Sequence, residues 1–265
     1  MILCKRGFWG IDPGPEPPKA MTNFGYEPRT YRSRMARSGL TGFRVSVKET
    51  DLWVLASRDL TREVRELVIQ ERQQLEAYIA GHPGFLTSLV PWPSDPYAPP
   101  VVREMIEAAA VAGVGPMAAV AGTLAARVGR GLAPLSPEII VENGGDIYLA
   151  IARPATVALF AGKSPLSHRV GLNLDPALSP LGVCTSSATV GHSLSLGRAD
   201  AACILAPSAA LADAAATALG NRVQGPDTIA PALEWVASLP EILGAVVVVG
   251  EKLGAWGRVE LVPLT

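Results

Sequence analysis

Apolar and polar residues alternate from Phe43 to Ser57 (FRVSVKETDLWVLAS), which predicts two strands with Glu49-Thr50-Asp51 at the corner between them. The period then changes. Leu60, Val64, Leu67, Val68, Leu75 and Ile79 form the apolar stripe of a helix that opens after Asp59, an N-cap residue type, runs towards Ala80 and stops at Gly81-His82-Pro83-Gly84. A proline-rich connection from Pro91 to Pro100 leads to a helix containing Arg103 to Ala112. After the Gly115-Pro116 break, a second helix runs from Met117 to about Val128. Apolar runs centred near Ile140, Val157 and Val170 predict strands, as do segments near Ser193 and Ile204. An alanine-rich helix follows from Ser208 to Leu219, then a short one from Thr228 to Ser238. Ala245 to Val249 and Arg258 to Val262 are predicted to close the chain as a hairpin. Strands in consecutive runs, not alternating strictly with helices, point to an α+β fold with antiparallel sheet.

Composition narrows the function classes. Among 265 residues, Lys and Arg total 23 against 24 Asp and Glu, so no overall electrostatic footprint for nucleic acid or membrane is expected. The basic residues Lys5, Arg6, Lys19, Arg29, Arg32, Arg34 and Arg37 crowd the N-terminal end, where Pro and Gly are frequent and no period is visible. Residues 1–25 are accordingly expected to be a disordered extension and 26–265 a single domain. No signal-peptide core follows Met1, and the uncharged stretch from Ala108 to Ala126 is too rich in Ala and Gly for a membrane helix. Cys4, Cys184 and Cys203 lack metal or redox spacing, which suits reduced thiols and a cytoplasmic location.

Four segments could carry chemistry. In Glu142-Asn143-Gly144-Gly145-Asp146 two glycines interrupt an apolar strand pair. They allow either a tight hairpin turn or close approach of a ligand to bare backbone. Asp213 and Thr217 lie four residues apart on one helix face and can both offer oxygen to a hard cation; the alternative is that Asp213 serves only its own helix dipole. Either position should tolerate substitution within so alanine-rich a helix. Cys184 to Ser193, with Thr185, Ser186 and His192, reads as a polar loop suited to wrapping an anion; a triad of Cys184 or a serine with His192 and Asp200 is a further alternative. Gly113-Val114-Gly115-Pro116 enters a helix start, where phosphate binds well, or is simply a packing turn.

Together, Asn143-Gly144-Gly145-Asp146, Thr185-Ser186-Ser187, His192 and Ala212 to Ala218 (ADAAATA) resemble, in order, the motifs of FAD:protein FMN transferases, the ApbE-like proteins. The phrases KETDL (48–52), GVGPMAAVA (113–121), Val141 to Tyr148 and Cys184 to Ser195 resemble more closely a short, uncharacterised branch of that superfamily, over about residues 31–261. The resemblance implies a T-fold with antiparallel sheets and helices packed on one side. It implies Mg²⁺ held by Asp213 and Thr217, a nucleotide site shaped by Asn143, Gly144, Gly145, Asp146, Thr185 and Ser186, and His192 as the candidate catalytic residue. The expected ligands are FAD or another nucleotide, with FMN passed to an acceptor protein and AMP released. A cofactor-holding module without turnover, or a T-fold homo-oligomer, is the alternative. The sequence also departs from the transferases: Ser193-Leu194-Ser195 follows His192 where they carry Ile-Ile-Asp-Pro, and Ser187 stands where a glycine is usual.

Overall fold

The computed structural model describes residues 37–189 and 196–264. Strands β1 (Thr41–Val47) and β2 (Thr50–Ala56) form the first hairpin. The turn is Lys48-Glu49, one residue earlier than the pattern suggested, with Lys48 at φ 51°. Helices α1 (Thr61–Gly81), α2 (Pro83–Thr87), α3 (Pro100–Ala112) and α4 (Val120–Leu132) follow, with a 3₁₀ turn at Pro116–Ala119 before α4. Strands β3 (Ile139–Asn143), β4 (Asp146–Ala150), β5 (Ala155–Ala158), β6 (Val170–Leu174), β7 (Leu181–Ser186) and β8 (Ala201–Ala206) precede α5 (Ala209–Arg222) and α6 (Ile229–Ala237). Strands β9 (Gly244–Val249), β10 (Lys252–Gly257) and β11 (Glu260–Pro263) end the chain.

Eight strands form one sheet in the order β1-β2-β3-β4-β7-β8-β9-β10, and β11-β6-β5 form a second. Every neighbouring pair is antiparallel. The helices cover one face of the large sheet and the small sheet lies against the other. Alternate residues of each central strand therefore enter different cores: Ala202 and Ile204 join the helix-side cluster, Cys203 and Leu205 the cluster between the sheets. Burial on both faces explains why β8 and β9 read as unbroken apolar runs instead of alternating patterns. The expected α+β arrangement, with helices on one side of antiparallel sheet, is what the chain adopts.

Three expectations need correction. The closing strands do not pair with each other: β9 pairs with β10 through a turn at Gly250 (φ 57°), and β11 crosses to β6. Glycines hide β10 in the sequence. A β-carbon at Gly254 would sit 2.4 Å from Ile229 Cγ2, so the glycine is where α6 rests on the sheet. Likewise the presumed polar loop from Cys184 begins as strand, since Cys184, Thr185 and Ser186 end β7. Asp59 is not the N-cap of α1 but stands one residue ahead, its carboxylate accepting from Thr61 N at 2.8 Å. The expected N-terminal extension and the strand expected near Ser193 lie outside the described residues.

Among the described residues no single helix is long and apolar enough to cross a membrane; α3 and the segment containing α4 qualify only as a pair bent by 105°. Ion pairs tie the helix layer together: Arg127 on α4 bonds Glu71 on α1 at 2.5 Å and Glu104 on α3 at 2.7 Å.

Glu138, just before β3, ties the segment ahead of β1 to the connection after β4. Its carboxylate accepts from Arg153 at 2.7 Å, Arg37 at 2.8 Å and Ala152 N at 3.0 Å. Burial raises its pKa, but these donors outweigh burial and hold the carboxyl at about 2, below the ordinary 4.5. A depressed native pKa means the stabilisation is present above the unfolded value and lost as pH falls towards the native one. Glu138→Gln should therefore be less stable than the parent at pH 6, and the gap should narrow as pH drops from about 4.5 to 2. Urea melts across that range would show it; a constant gap would refute the assignment.

Candidate functional site

The site is built where β3, β4 and β7 end beneath the starts of α4 and the middle of α5. Asn143 and Asp146 are paired across the β3–β4 turn, with Gly144 at φ 71° and Gly145 at φ 106° between them. Such angles favour glycine, so the hairpin reading of Asn-Gly-Gly-Asp holds. It does not use up the glycines' other property: Gly144 is exposed and Gly145 half-buried, so bare backbone faces outward.

Register sets which side chains meet. Asn143, Asp146 and Cys184 are directly paired, so they share the helix-side face of the sheet. Ser186 joins them, its Oγ 3.5 Å from where a β-carbon on Gly220 would lie. Thr185 points to the other face and hydrogen-bonds with Cys203, leaving its main chain on the Asp146 side. Glu142 also lies on that other face, buried, and accepts from Gly145 N at 2.9 Å.

Above this face runs α5, begun by Ser208, whose hydroxyl accepts from Leu211 N at 3.3 Å. Small residues let it come close. A β-carbon at Gly182 would lie 2.4 Å from Ala209 Cα, and one at Gly122 would lie 2.2 Å from Ala209 O. From Ala209 to Gly220 every residue of α5 is buried except Thr217, which is half-buried. Asp213, one turn earlier, is buried, and its Oδ2 accepts from Gly122 N in the first turn of α4 at 2.8 Å. Asp213 is thus not a first-turn acid of its own helix; it serves the start of a neighbouring one, where partial positive charge suits a carboxylate.

Asp146 lies close enough to feel it. Burial first, then the charges of Asp213 and Glu142, push the Asp146 carboxyl well above its usual range. A main-chain bond from Thr185 and the Cys184 thiol offset only part of that. Two buried carboxyl groups, the Thr217 hydroxyl one turn away and bare glycine backbone make a hard-oxygen set. That set suits a divalent cation whose shell is completed by water and phosphate. Among the described residues no group of three or more His, Cys, Asp and Glu has the geometry to hold a metal without such help.

The other candidates resolve differently. Gly113 (φ 71°) ends α3 in the left-handed conformation, and a β-carbon at Gly115 would lie 1.8 Å from Ser88 O, so that turn is a packing turn. Of the candidate triad, the two described members, Cys184 and Asp200, are each engaged elsewhere. Cys184 is buried, donates to Ala209 O at 3.4 Å, and burial with the nearby Asp146 and Asp213 charges pushes its thiol pKa well up. Burial likewise pushes Cys203 up to about 12. Asp200 accepts from Gly250 N at 2.7 Å and Thr189 Oγ1 at 3.3 Å, which makes it a tie between loops. His192 lies outside the described residues. Sequence reasoning missed Gly122; a glycine inside a helical pattern is the signal that could have found it.

Antiparallel sheet with helices on one side is the fold that this chain shares with solved flavin transferases. The chain aligns with the Vibrio cholerae flavin transferase ApbE at a TM-score of 0.54, covering 82% of this chain and 96% of that one at 12% identity. It aligns with the ApbE protein of Thermotoga maritima at 0.52, covering 81% and 96% at 14% identity. More narrowly, residues 32–244 match the family described as AbpE bacteria, and the chain belongs to that family, an ApbE-like branch. It is 42% identical over 216 residues to a UPF0280 protein of Methanocella arvoryzae, spanning 81% of this chain and 88% of that one. A UPF0280 protein of Methanocaldococcus jannaschii is 42% identical over 222 residues, with 82% and 90% covered.

Proposed function

We propose that this protein binds FAD together with Mg²⁺ at the Asp213–Thr217 face of α5 and passes the FMN portion to an acceptor hydroxyl. The observation that carries the reading is buried Asp213, close to Asp146 at the end of the Gly144–Gly145 turn, followed one helical turn later by Thr217, the one residue from Ala209 to Gly220 that is not buried. The membership of an ApbE-like family supports the choice of FAD over other nucleotides.

Mg²⁺, when bound, neutralises charge on the pyrophosphate. Asp213 and Thr217 supply its protein oxygens, one charged and one neutral. Gly144 and Gly145, having no side chains, let the nucleotide approach the main chain of the turn, where the Gly145 N–H is already bonded to Glu142. Burial and the nearby Asp213 and Glu142 charges push the Asp146 carboxyl up, which disfavours a second full negative charge beside the phosphates. In the transfer, the acceptor oxygen bonds to the FMN phosphorus, the phosphorus–oxygen bond to AMP breaks, and the hydroxyl proton leaves with AMP or water.

Incubating the protein with FAD and Mg²⁺ and measuring AMP by chromatography tests this. Metal-dependent AMP is expected, with an added acceptor raising its yield. Tight FAD binding without AMP would favour a holding module, and absence of FAD binding would overturn the reading.

A further inference from the structure

One peptide group is gripped at both ends by the two motifs. The Ala121–Gly122 peptide lies in the first turn of α4. Its carbonyl accepts from Asn143 Nδ2 at 3.1 Å, and its N–H donates to Asp213 Oδ2 at 2.8 Å. Asn143 comes from the end of β3 and Asp213 from the middle of α5, and both side chains belong to residues 8% exposed. A carbonyl oxygen can only accept, so the Asn143 group facing it is the NH₂.

Amide resonance makes the two contacts cooperate. A donor on the carbonyl oxygen draws electron density from the nitrogen and polarises the N–H, so the bond to the carboxylate strengthens. In a buried setting that polarisation is little screened. Gly122 is the residue that permits the approach, since a β-carbon there would lie 2.8 Å from Asp213 Cβ.

We infer that Asn143 is a positioning residue for Asp213, acting through the Ala121–Gly122 peptide to fix the carboxylate's orientation without touching nucleotide. Its functional consequence rests on the cation reading above; the relay itself does not. The Gly-Gly turn and the Asp-Thr helix are thereby one mechanical unit, and a change at the turn is felt at the cation's carboxylate.

Selective ¹⁵N-glycine labelling reads the relay directly in the presence of EDTA. In Asn143→Ala the Gly122 amide proton should move upfield and exchange with solvent about ten-fold faster, while Gly129, further along α4, stays put. Asn143→Leu, which keeps the approximate volume and has no donor, should move it the same way, and serves if the alanine variant folds poorly. An unmoved Gly122 signal in these variants, with a clear shift in Asp213→Ala, would overturn the relay. A calorimetric Mg²⁺ titration with ADP present should then show about ten-fold weaker binding for Asn143→Ala, the loss typical of residues that orient a metal ligand. If the parent binds no Mg²⁺ while Gly122 responds, the cation reading fails and the relay stands. If parent and variant bind alike and Gly122 is silent, the relay fails.

Discussion

Gly122→Ala is expected to cost about 3 kcal/mol, the upper part of the range for overpacking a close contact, and to lower the melting temperature by about 6–12 °C. The added methyl would meet Ala209 O at 2.2 Å, and main chain where two packed helices begin cannot swing aside as a side chain can. Relief requires α4 and α5 to separate, which pulls the Gly122 N–H away from Asp213 and leaves that buried carboxylate short of a donor. Stability and cation-dependent binding should therefore fall together. A variant that melts like the parent would show that the two helices are less intimate than described.

Asp213 should separate those two properties. Asp213→Asn keeps an oxygen for the Gly122 N–H but removes the charge that pushes Asp146 up. It should melt no lower than the parent. Its effect on a bound cation should be large: unit charges about 4 Å apart at a partly buried site interact by about 4 kcal/mol. We therefore expect Mg²⁺-dependent nucleotide binding to weaken by about 100-fold or more. Asp213→Ala loses binding too, and in addition loses the cap on α4, at a cost of about 1.5–3 kcal/mol less whatever is regained from relieving Asp146. Tolerance of any change in an alanine-rich helix, the expectation from sequence, thus does not extend to Asp213. Thr217→Val, which loses one neutral oxygen, should weaken binding less than either. Melting curves and calorimetry on the three variants decide the matter. A destabilised Asp213→Asn that still binds would reverse the account.

The elements most legible in the sequence were those with a strong period or a clean break: the β1–β2 hairpin, α1, α3 and α5. Strands with both faces buried were found as apolar runs, but their neighbours were not, because pairing partners leave no mark in a local pattern. Glycine blurred the rest. Gly182 and Gly254 serve helix packing, so β7 and β10 lost the β-branched and aromatic character that signals a strand. The Gly-Gly turn was readable as a hairpin from Asn-Gly chemistry alone. That Asp213 caps α4 was not, since residues 91 positions apart meet only in the fold. Nor could spacing reveal that Thr185 and Ser186 face opposite sides, because a run of small hydroxyl residues carries no apolar alternation to mark the end of β7.

Calorimetric titration of the parent protein with FAD, once with Mg²⁺ and once with EDTA, tests the central claim most directly. The account predicts binding that is at least about ten-fold tighter with the metal, because two protein oxygens alone hold Mg²⁺ weakly and the pyrophosphate completes its shell. Equal affinity in the two titrations, or no heat in either, would contradict it.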